Sequence, residues 1–267
     1  LSTSWALFSG PTHYISLATA AFYGLGTMIV ATGIETVPYV VLLLISAVAG
    51  ALMAALVGLA TLRLSGVYFV IFTLGLAEMI RQLVSWLQNN LGGSRGLYVL
   101  TDLTEDHIYW ELLALAAFVF LIGWWIGRSR LGFAMRIIGN DETVAAHCGI
   151  NTARSKIMLF MVSGMVAALV GALLAPRWTY IEPNIAFSPL LSFEVVIMAL
   201  LGGTKRLWGP LVGVVPFTIL LEVIEANYPS QTILVLGIAF LLIVYLVPHG
   251  VVGRLEQSFA KFRKGGN

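Results

Sequence analysis

The sequence predicts an all-α polytopic bundle of transmembrane helices, about eight spans forming a single domain over residues 1–267. Three observations predict it. The 267 residues are 59% hydrophobic and only 10% charged, with a mean hydropathy of +0.92, whereas soluble domains carry about a quarter charged residues. Apolar stretches recur at the length of a hydrocarbon core, about 17–25 residues per helix. The basic residues gather in every second connection, the pattern of a chain that crosses a bilayer repeatedly.

The first apolar stretch, Tyr14–Gly33, contains Gly24 and Gly26 and follows Gly10 and Pro11. It therefore reads as a kinked or broken helix, able to expose unpaired backbone groups to a cavity. The residues before it resemble the end of another apolar segment. There is no initiator Met and no signal-peptide pattern, so the N-terminus reads as truncated. Pro38–Leu62 and Gly66–Leu87 follow, joined through Arg63. Tyr109–Gly127 leads into the long basic loop 128–156, after which come Ser155–Ala175, Ile185–Leu201, Gly209–Glu225 and Thr232–Val247.

If every span crosses, one side collects Arg63, loop 128–156, Lys205, Arg206 and the tail with Arg254, Lys261, Arg263 and Lys264. The other receives Glu35, Asp102, Glu105, Asp106 and His107 with Arg95, then Arg177 with Glu182, and the turn at Tyr228. The positive-inside rule makes the basic loops and the C-terminus cytoplasmic. Small residues every fourth position, Gly50–Ala54–Gly58 and Ser163–Ala167–Gly171, predict close helix packing. The seven tryptophans, Trp5 included, fall near proposed span ends and read as an interfacial belt.

The loop 128–156 is the longest polar interruption. It sets Arg128, Arg130, Arg136, Arg154 and Lys156 against only Asp141 and Glu142. Inside it a helix of about two turns is predicted. Asn140 or Asp141 caps its N-terminus, Glu142 suits the positive end of its dipole, and Gly149 supplies the left-handed residue that ends it. So short a helix does not hold itself together in water. Val144, Ala145, Ala146 and Ile150 are too few for a core but enough for a shallow groove on a partner, so the loop reads as a docking element.

Charges within spans are costly unless paired or wet. Glu78 and Arg81, three residues apart on one helix face, either neutralise each other or border a water-filled pathway. Glu194, in SFEVVIMALLGG, has no countercharge nearby in sequence and faces either an aqueous cavity or a partner helix. Glu222 and Glu225 approach an outer end. The single cysteine, Cys148, excludes an internal disulfide, and no Cys/His spacing predicts a metal site. The net charge of +2, spread over helix ends, gives no reason to expect a nucleic-acid partner. Phosphate-binding loop, nucleophile elbow and zinc-helix motifs are all absent from the sequence, and Gly202-Gly203-Thr204-Lys205 lacks the phosphate-loop pattern. Work against a gradient would draw on ion coupling or on another chain.

Three stretches resemble a known family. Gly132, Ala134, Arg136, Ile138, Asp141, Glu142, Ala145, Ala146, Gly149, Ile150 and Asn151 follow G-x-A-x-R-x-I-x-x-N/D-E-x-x-A-A-x-x-x-G-I-N. Gly92, Gly93, Ser94 and Gly96 follow a T-G-G-S-x-G-like segment. Leu201-Gly202-Gly203, Leu207-Trp208-Gly209-Pro210 and Pro248-His249-Gly250 follow L-G-G-x-x-x-L-W-G-P and P-x-G-[LV]. In that order they resemble the membrane permease subunits of bacterial ABC importers of the branched-chain amino acid (LIV) type. One departure lies in the first segment. The family often reads G-x-x-G-Q-x-S-L-G-H-A-A-F there, against Gly10, His13, Tyr14, Ser16, Leu17, Ala18, Thr19, Ala20, Ala21 and Phe22 here.

The resemblance implies a translocation subunit of the bacterial inner membrane and not an enzyme. No cofactor would be bound by this chain, ATP residing in cytoplasmic ABC ATPase subunits. A second permease subunit, a periplasmic or surface solute-binding protein and membrane lipid would be its other partners. Arg136, Asp141, Glu142, Ala145, Ala146, Gly149, Ile150 and Asn151 would form the ATPase-coupling element. Ser16, Thr19, Glu78, Arg81 and Glu194 are the candidate pathway residues. The solute would be a branched-chain amino acid or a similar small polar molecule, the family also including importers of urea and short amides. An ion-coupled carrier working through Glu78 and Glu194, or a membrane scaffold with a recruiting loop, are the alternatives.

Overall fold

The computed structural model describes residues 1–62, 64, 66–92, 96–99, 101, 104–204, 206–227, 231, 232, 234, 235, 237, 238, 241 and 242. The chain begins with α1 (Ser2–Thr12) and α2 (Thr19–Gly33), followed by α3 (Tyr39–Thr61) and α4 (Val67–Leu87), which continues as a π-helical turn over Gln88–Gly92. A short strand, β1 (Leu97–Tyr98), precedes α5 (Glu105–Arg128). The basic loop holds α6 (Arg130–Asn140) and α7 (Glu142–His147). Then come α8 (Thr152–Leu174), β2 (Tyr180–Ile181), α9 (Pro183–Ala186), α10 (Pro189–Gly202) and α11 (Gly209–Asn227). Among the described residues six helical segments are long and apolar enough to cross a membrane: α3, α4, α5, α8, α9 with α10, and α11. A seventh apolar helix, α2, has 15 residues. The predicted span Thr232–Val247 lies largely outside the described residues, as do Arg63, Arg95, Asp102, Lys205, Tyr228 and the basic tail.

The helix faces are sorted as lipid requires. On α3 the large side chains Leu44, Val48, Leu52, Leu56 and Leu59 point outward, while Ser46, Gly50, Ala54 and Gly58 are buried. Lipid tails are as apolar as leucine, so nothing drives leucine inward, and small residues that admit close backbone approach take the interface. The α3 stripe packs on α8 as predicted: a Cβ on Gly50 would lie 2.4 Å from the Ala168 methyl, and one on Gly164 2.5 Å from that of Ala54. On α8 the predicted stripe is shifted. Gly164 and Ala168 meet α3, whereas Gly171 turns to α2, where an added Cβ would lie 2.0 Å from the Tyr23 carbonyl oxygen. α2, α3 and α8 thus form a tightly closed trio. The L-G-G and W-G-P glycines close the α10–α11 hairpin in the same way, Gly202 lying against the Gly209 carbonyl.

The first segment is broken, just after Gly10 and Pro11 and not at Gly24 and Gly26. Gly24 and Gly26 lie within α2 and serve packing, against the Phe187 ring and the Ala168 carbonyl. The break is upstream, at His13–Ala18, and the predicted start at Tyr14 moves to Thr19. α1 ends at His13, which adopts a left-handed conformation (φ 58°). The chain then turns back along α1, so that Trp5 Nε1 donates to the Ser16 carbonyl at 2.8 Å. Trp5 is accordingly 2% exposed and no part of an interfacial belt. Tyr14 N–H donates to Thr12 Oγ1 and Ala18 N–H to Ser16 Oγ, each at 3.3 Å, and further bonds come from side chains of distant helices. Leu17 N–H donates to Thr73 Oγ1 of α4 at 3.2 Å. Ser192 Oγ of α10 donates to the Leu17 carbonyl at 2.9 Å and accepts from Ala20 N–H at 2.9 Å.

The bundle has two distinct ends. At one, Gly139 of α6 lies against the Pro11 carbonyl and Gly10 against Thr204 of the α10–α11 connection. At the other, β1 and β2 pair antiparallel, Leu97 opposite Ile181 and Tyr98 opposite Tyr180. Between the ends an aromatic cluster of Phe8, Phe22, Phe69 and Phe160 joins α1, α2, α4 and α8.

Ser192→Ala removes two bonds to the break at once, and a buried backbone group left unbonded costs about 1–3 kcal/mol. We expect a clearly lower unfolding midpoint in detergent; a midpoint equal to wild type would show that the break is satisfied otherwise. Gly171→Leu should separate α2 from α8 and cost about 1–3 kcal/mol or more by overpacking. Gly75→Ala, with nothing within 4 Å of an added Cβ, should melt like wild type in the same assay.

Candidate functional site

The basic loop is more ordered than its charge predicts. α6 was not foreseen: it is an amphipathic helix that folds back under α5. Ser129 Oγ caps it by accepting from Gly132 N–H at 3.4 Å. Ala134, Met135 and Ile138 are buried, while Phe133 and Arg136 are exposed. Its signal in the sequence is A-M-x-x-I on one face, hidden by the flanking arginines.

α7 has the predicted ends. Asp141 is the N-cap, its Oδ1 accepting from Thr143 N–H at 2.8 Å and Val144 N–H at 3.2 Å. The Val144 bond, then the Thr143 bond, holds this carboxyl below its usual range, so the cap stays ionised at neutral pH. Gly149 follows the helix at φ 78°. Asn151 proves to be a cap in its own right, its Oδ1 accepting from Arg154 N–H at 2.9 Å to start α8.

One triad fastens α7 to the bundle. Lys156, one turn into α8 and 1% exposed, donates to Glu142 Oε1 at 2.6 Å and to the Tyr14 hydroxyl at 3.0 Å. Its ammonium lies 4.5 Å from the centre of the Tyr14 ring, and the Tyr14 hydroxyl also reaches Glu142 Oε2 at 3.4 Å. The Glu142 side chain is 45% exposed. A charge at the start of α7 is thereby joined to α8 and to the unwound segment. The sequence marks Lys156 only as a lysine inside the start of a predicted span; the Tyr14 contact carries no local signal.

The sequence-derived residues are distributed as follows. In the loop, Arg136, Asp141, Glu142, Ala146, Gly149 and Asn151 are exposed, Ile150 is half-buried and Ala145 is fully buried under α7. Arg136 donates to the Gly127 carbonyl at 3.1 Å. The five pathway candidates fall in three places. Ser16 and Thr19 are buried at the break. Glu78 and Arg81 form an ion pair on α4, which Gln82 supports at 3.1 Å and from which Arg81 also reaches Asn184 of α9. Glu194 lies two residues beyond Ser192, so about 200° round the helix. Thr73, Ser192, Tyr14 and Asn184 are polar residues of the bundle that sequence reasoning passed over.

Two cavities flank these groups. One of about 470 Å³ lies between α1, α5, α6 and the α10–α11 connection. The other, about 330 Å³, lies at the opposite end between α5 and α8, where Glu105 and Asp106 face Arg177.

This chain resembles characterised transport proteins. Residues 1–247 match the family described as branched-chain amino acid transport system / permease component. The high-affinity branched-chain amino acid permease protein LivH of Escherichia coli K12 is 30% identical over 154 residues, 57% of this chain and 49% of the relative. LivM of Salmonella typhimurium, named for the same transport system, is 26% identical over 241 residues, 78% of this chain and 55% of the relative. The ribose import permease protein RbsC of Haemophilus influenzae is 29% identical over 100 residues, 36% of this chain and 31% of its own. The chain spans about half the length of the curated LivH and LivM relatives it matches. No solved structure matches it. With six membrane-length apolar helices among its described residues and a family match over nearly its whole length, the chain belongs to the branched-chain amino acid permease component family, whose members are translocation subunits rather than enzymes.

Proposed function

We propose that this chain is the membrane subunit of an ATP-driven importer of branched-chain amino acids or a similar small polar solute, and that α6 and α7 couple it to a cytoplasmic ATPase. The observation that carries the reading is the Glu142–Lys156–Tyr14 triad, because it ties a short, exposed, capped helix to the unwound segment between α1 and α2. The basic end faces the cytoplasm on this reading, in a bacterial inner membrane. A second permease subunit completes the pore and a solute-binding protein delivers solute at the β1–β2 end.

The mechanism follows from what each group touches. ATPase subunits closing on ATP would grip the exposed side of α7, with Val144 and Ala146, and that of α6, with Phe133 and Arg136. A displacement of α7 pulls on Lys156 and Tyr14. Tyr14 lies in the unwound segment, whose Leu17 backbone is held by Thr73 of α4 and Ser192 of α10. Motion at the loop therefore reaches α4 and α10, the helices carrying Glu78, Arg81 and Glu194. ATP moves this equilibrium only to the extent that it binds one conformation better than the other. Names of relatives include both amino-acid and ribose permeases, and both kinds of solute are small and polar.

The triad has an asymmetry that tests the reading. Lys156→Met removes the buried cation and leaves behind a carboxylate already open to water. Glu142→Gln keeps an amide acceptor but leaves the buried cation without its countercharge, and an uncompensated buried charge costs several kcal/mol. In the assembly with ATPase, second permease subunit and binding protein, both variants should lose ATP-driven uptake by about tenfold or more while ATP hydrolysis without solute persists. Glu142→Gln should also melt lower than Lys156→Met, by about 1–3 kcal/mol in stability. Uptake at the wild-type rate in Lys156→Met would remove the triad from coupling. Gly149→Val strains the left-handed residue by about 1–2 kcal/mol and should lower solute-stimulated ATP hydrolysis with normal membrane insertion; unchanged stimulation would remove the docking role of α7. Active uptake by the chain alone, driven by an ion gradient, would overturn the ATP-driven assignment.

A further inference from the structure

We propose that His13 is a positioning residue of the transport cycle, its ring holding the C-terminal end of α6 to the start of the unwound segment. The proposal rests on the ATP-driven reading above and adds a second line of force to the triad. His13 ends α1 in a left-handed conformation (φ 58°), and among the described residues no other non-glycine residue has a positive φ. Its N–H closes the helix by donating to the Ser9 carbonyl at 3.0 Å. Glycine is the usual residue at such a helix end, because a side chain there is strained. Strain of this kind persists only where the surroundings hold it in place. At His13 the hold comes from α6. His13 Nδ1 lies 3.0 Å from the Gly139 carbonyl oxygen, and since a carbonyl only accepts, the ring nitrogen donates.

The α6 side of the contact is built to receive that donor. Gly139 is the last residue but one of α6, in the turn whose carbonyls find no amide further along the helix. The amide four positions on, Thr143 N–H, donates instead to Asp141 Oδ1. Gly139 also lets the two backbones touch: an added Cβ would lie 2.0 Å from the Pro11 carbonyl oxygen and 3.5 Å from the His13 ring. The next residue along, Tyr14, is bonded to Lys156 and to Glu142. The two helices of the basic loop therefore act on neighbouring residues, α6 on His13 and α7, with Lys156, on Tyr14. A displacement of α6 passes through the His13 ring to the peptide where α1 gives way to the unwound segment. Without that bond, a shift of α6 ends at its backbone contact with Pro11.

The test compares His13→Gly with His13→Asn in the full-length protein. Glycine accepts the left-handed conformation but has no donor, whereas asparagine tolerates it and carries an amide donor near the place of Nδ1. In the assembly with ATPase, second permease subunit and binding protein, His13→Gly should lose about fivefold in uptake per ATP hydrolysed, the scale of one hydrogen bond. Its unfolding midpoint should stay close to wild type, relief of strain offsetting the lost bond. His13→Asn should return uptake per ATP to near the wild-type value. A second measurement needs no ATPase. Amide hydrogen exchange of the purified chain in detergent should be about fivefold faster at residues 138–140 in His13→Gly and unchanged in His13→Asn. Equal exchange there in wild type and His13→Gly overturns the tie between His13 and α6. Wild-type uptake per ATP in His13→Gly overturns the positioning role. So does a loss in His13→Asn equal to that in His13→Gly, or a loss matched by a lower midpoint, either of which makes His13 a helix cap alone. Absence of ATP-driven uptake in the wild-type assembly rejects the underlying reading instead, and the exchange result then judges the tie separately.

Discussion

The structure depends on one constraint: backbone that leaves a helix inside a membrane bundle must find hydrogen-bond partners among neighbouring side chains. Water is not there to serve, and each unbonded group costs several kcal/mol. Between Tyr14 and Ala18 the bonds come locally from Thr12 and Ser16 and, at longer range, from Trp5, Thr73 and Ser192, which belong to α1, α4 and α10. The result is a knot of polar contacts in an otherwise apolar interior. Because each contact is an obligation rather than a preference, none of the three helices can move far from the break unless the others follow.

The helix packing around that knot is uneven, and the unevenness decides where motion is possible. α2, α3 and α8 approach so closely that a single added methyl at Gly26, Gly50 or Gly171 would overlap neighbouring atoms. Interfaces at the van der Waals limit shift between discrete arrangements instead of deforming. On the other side of α1 the 470 Å³ cavity leaves room between α1, α5 and α6. A push on the basic loop is therefore taken up on the α1–α5–α6 side, with the closed trio acting as the stator.

What was legible in the sequence follows the range of the interactions involved. The ends of α7 could be read to the residue, because Asp141 bonds to amides two and three positions on and Gly149 needs only its own φ. The spans were legible because hydrocarbon thickness sets their length. The break was legible as an event but not as a place: Tyr14-Ile15-Ser16-Leu17-Ala18 contains no glycine or proline, and its partners lie at Thr73 and Ser192, up to 175 positions away. Gly24 and Gly26 carried the wrong message because a glycine that opens a helix and one that lets two helices touch look alike in one sequence. Trp5 misled for a related reason. Tryptophan favours interfaces because its ring is apolar and its N–H needs a partner, and at Trp5 the partner is a freed carbonyl inside the bundle. α6 escaped notice because arginines beside its apolar face made the whole loop read as solvated.

The same reasoning explains why a lysine, and not a leucine, occupies position 156. Replacing a buried ion pair with apolar side chains is often neutral or stabilising, so the pair is weak evidence for stability. Its better-attested use is to fix one arrangement against others. Lys156 has donors for Glu142 and for the Tyr14 hydroxyl and a charge for the Tyr14 ring, and it satisfies all three only when α7, α8 and the unwound segment are in register. An apolar side chain would let α7 slide along α8 at little cost. With Lys156 in place a slide uncovers a cation in a dry interior, and that penalty is what makes the exposed end of a six-residue helix mechanically continuous with the centre of the bundle.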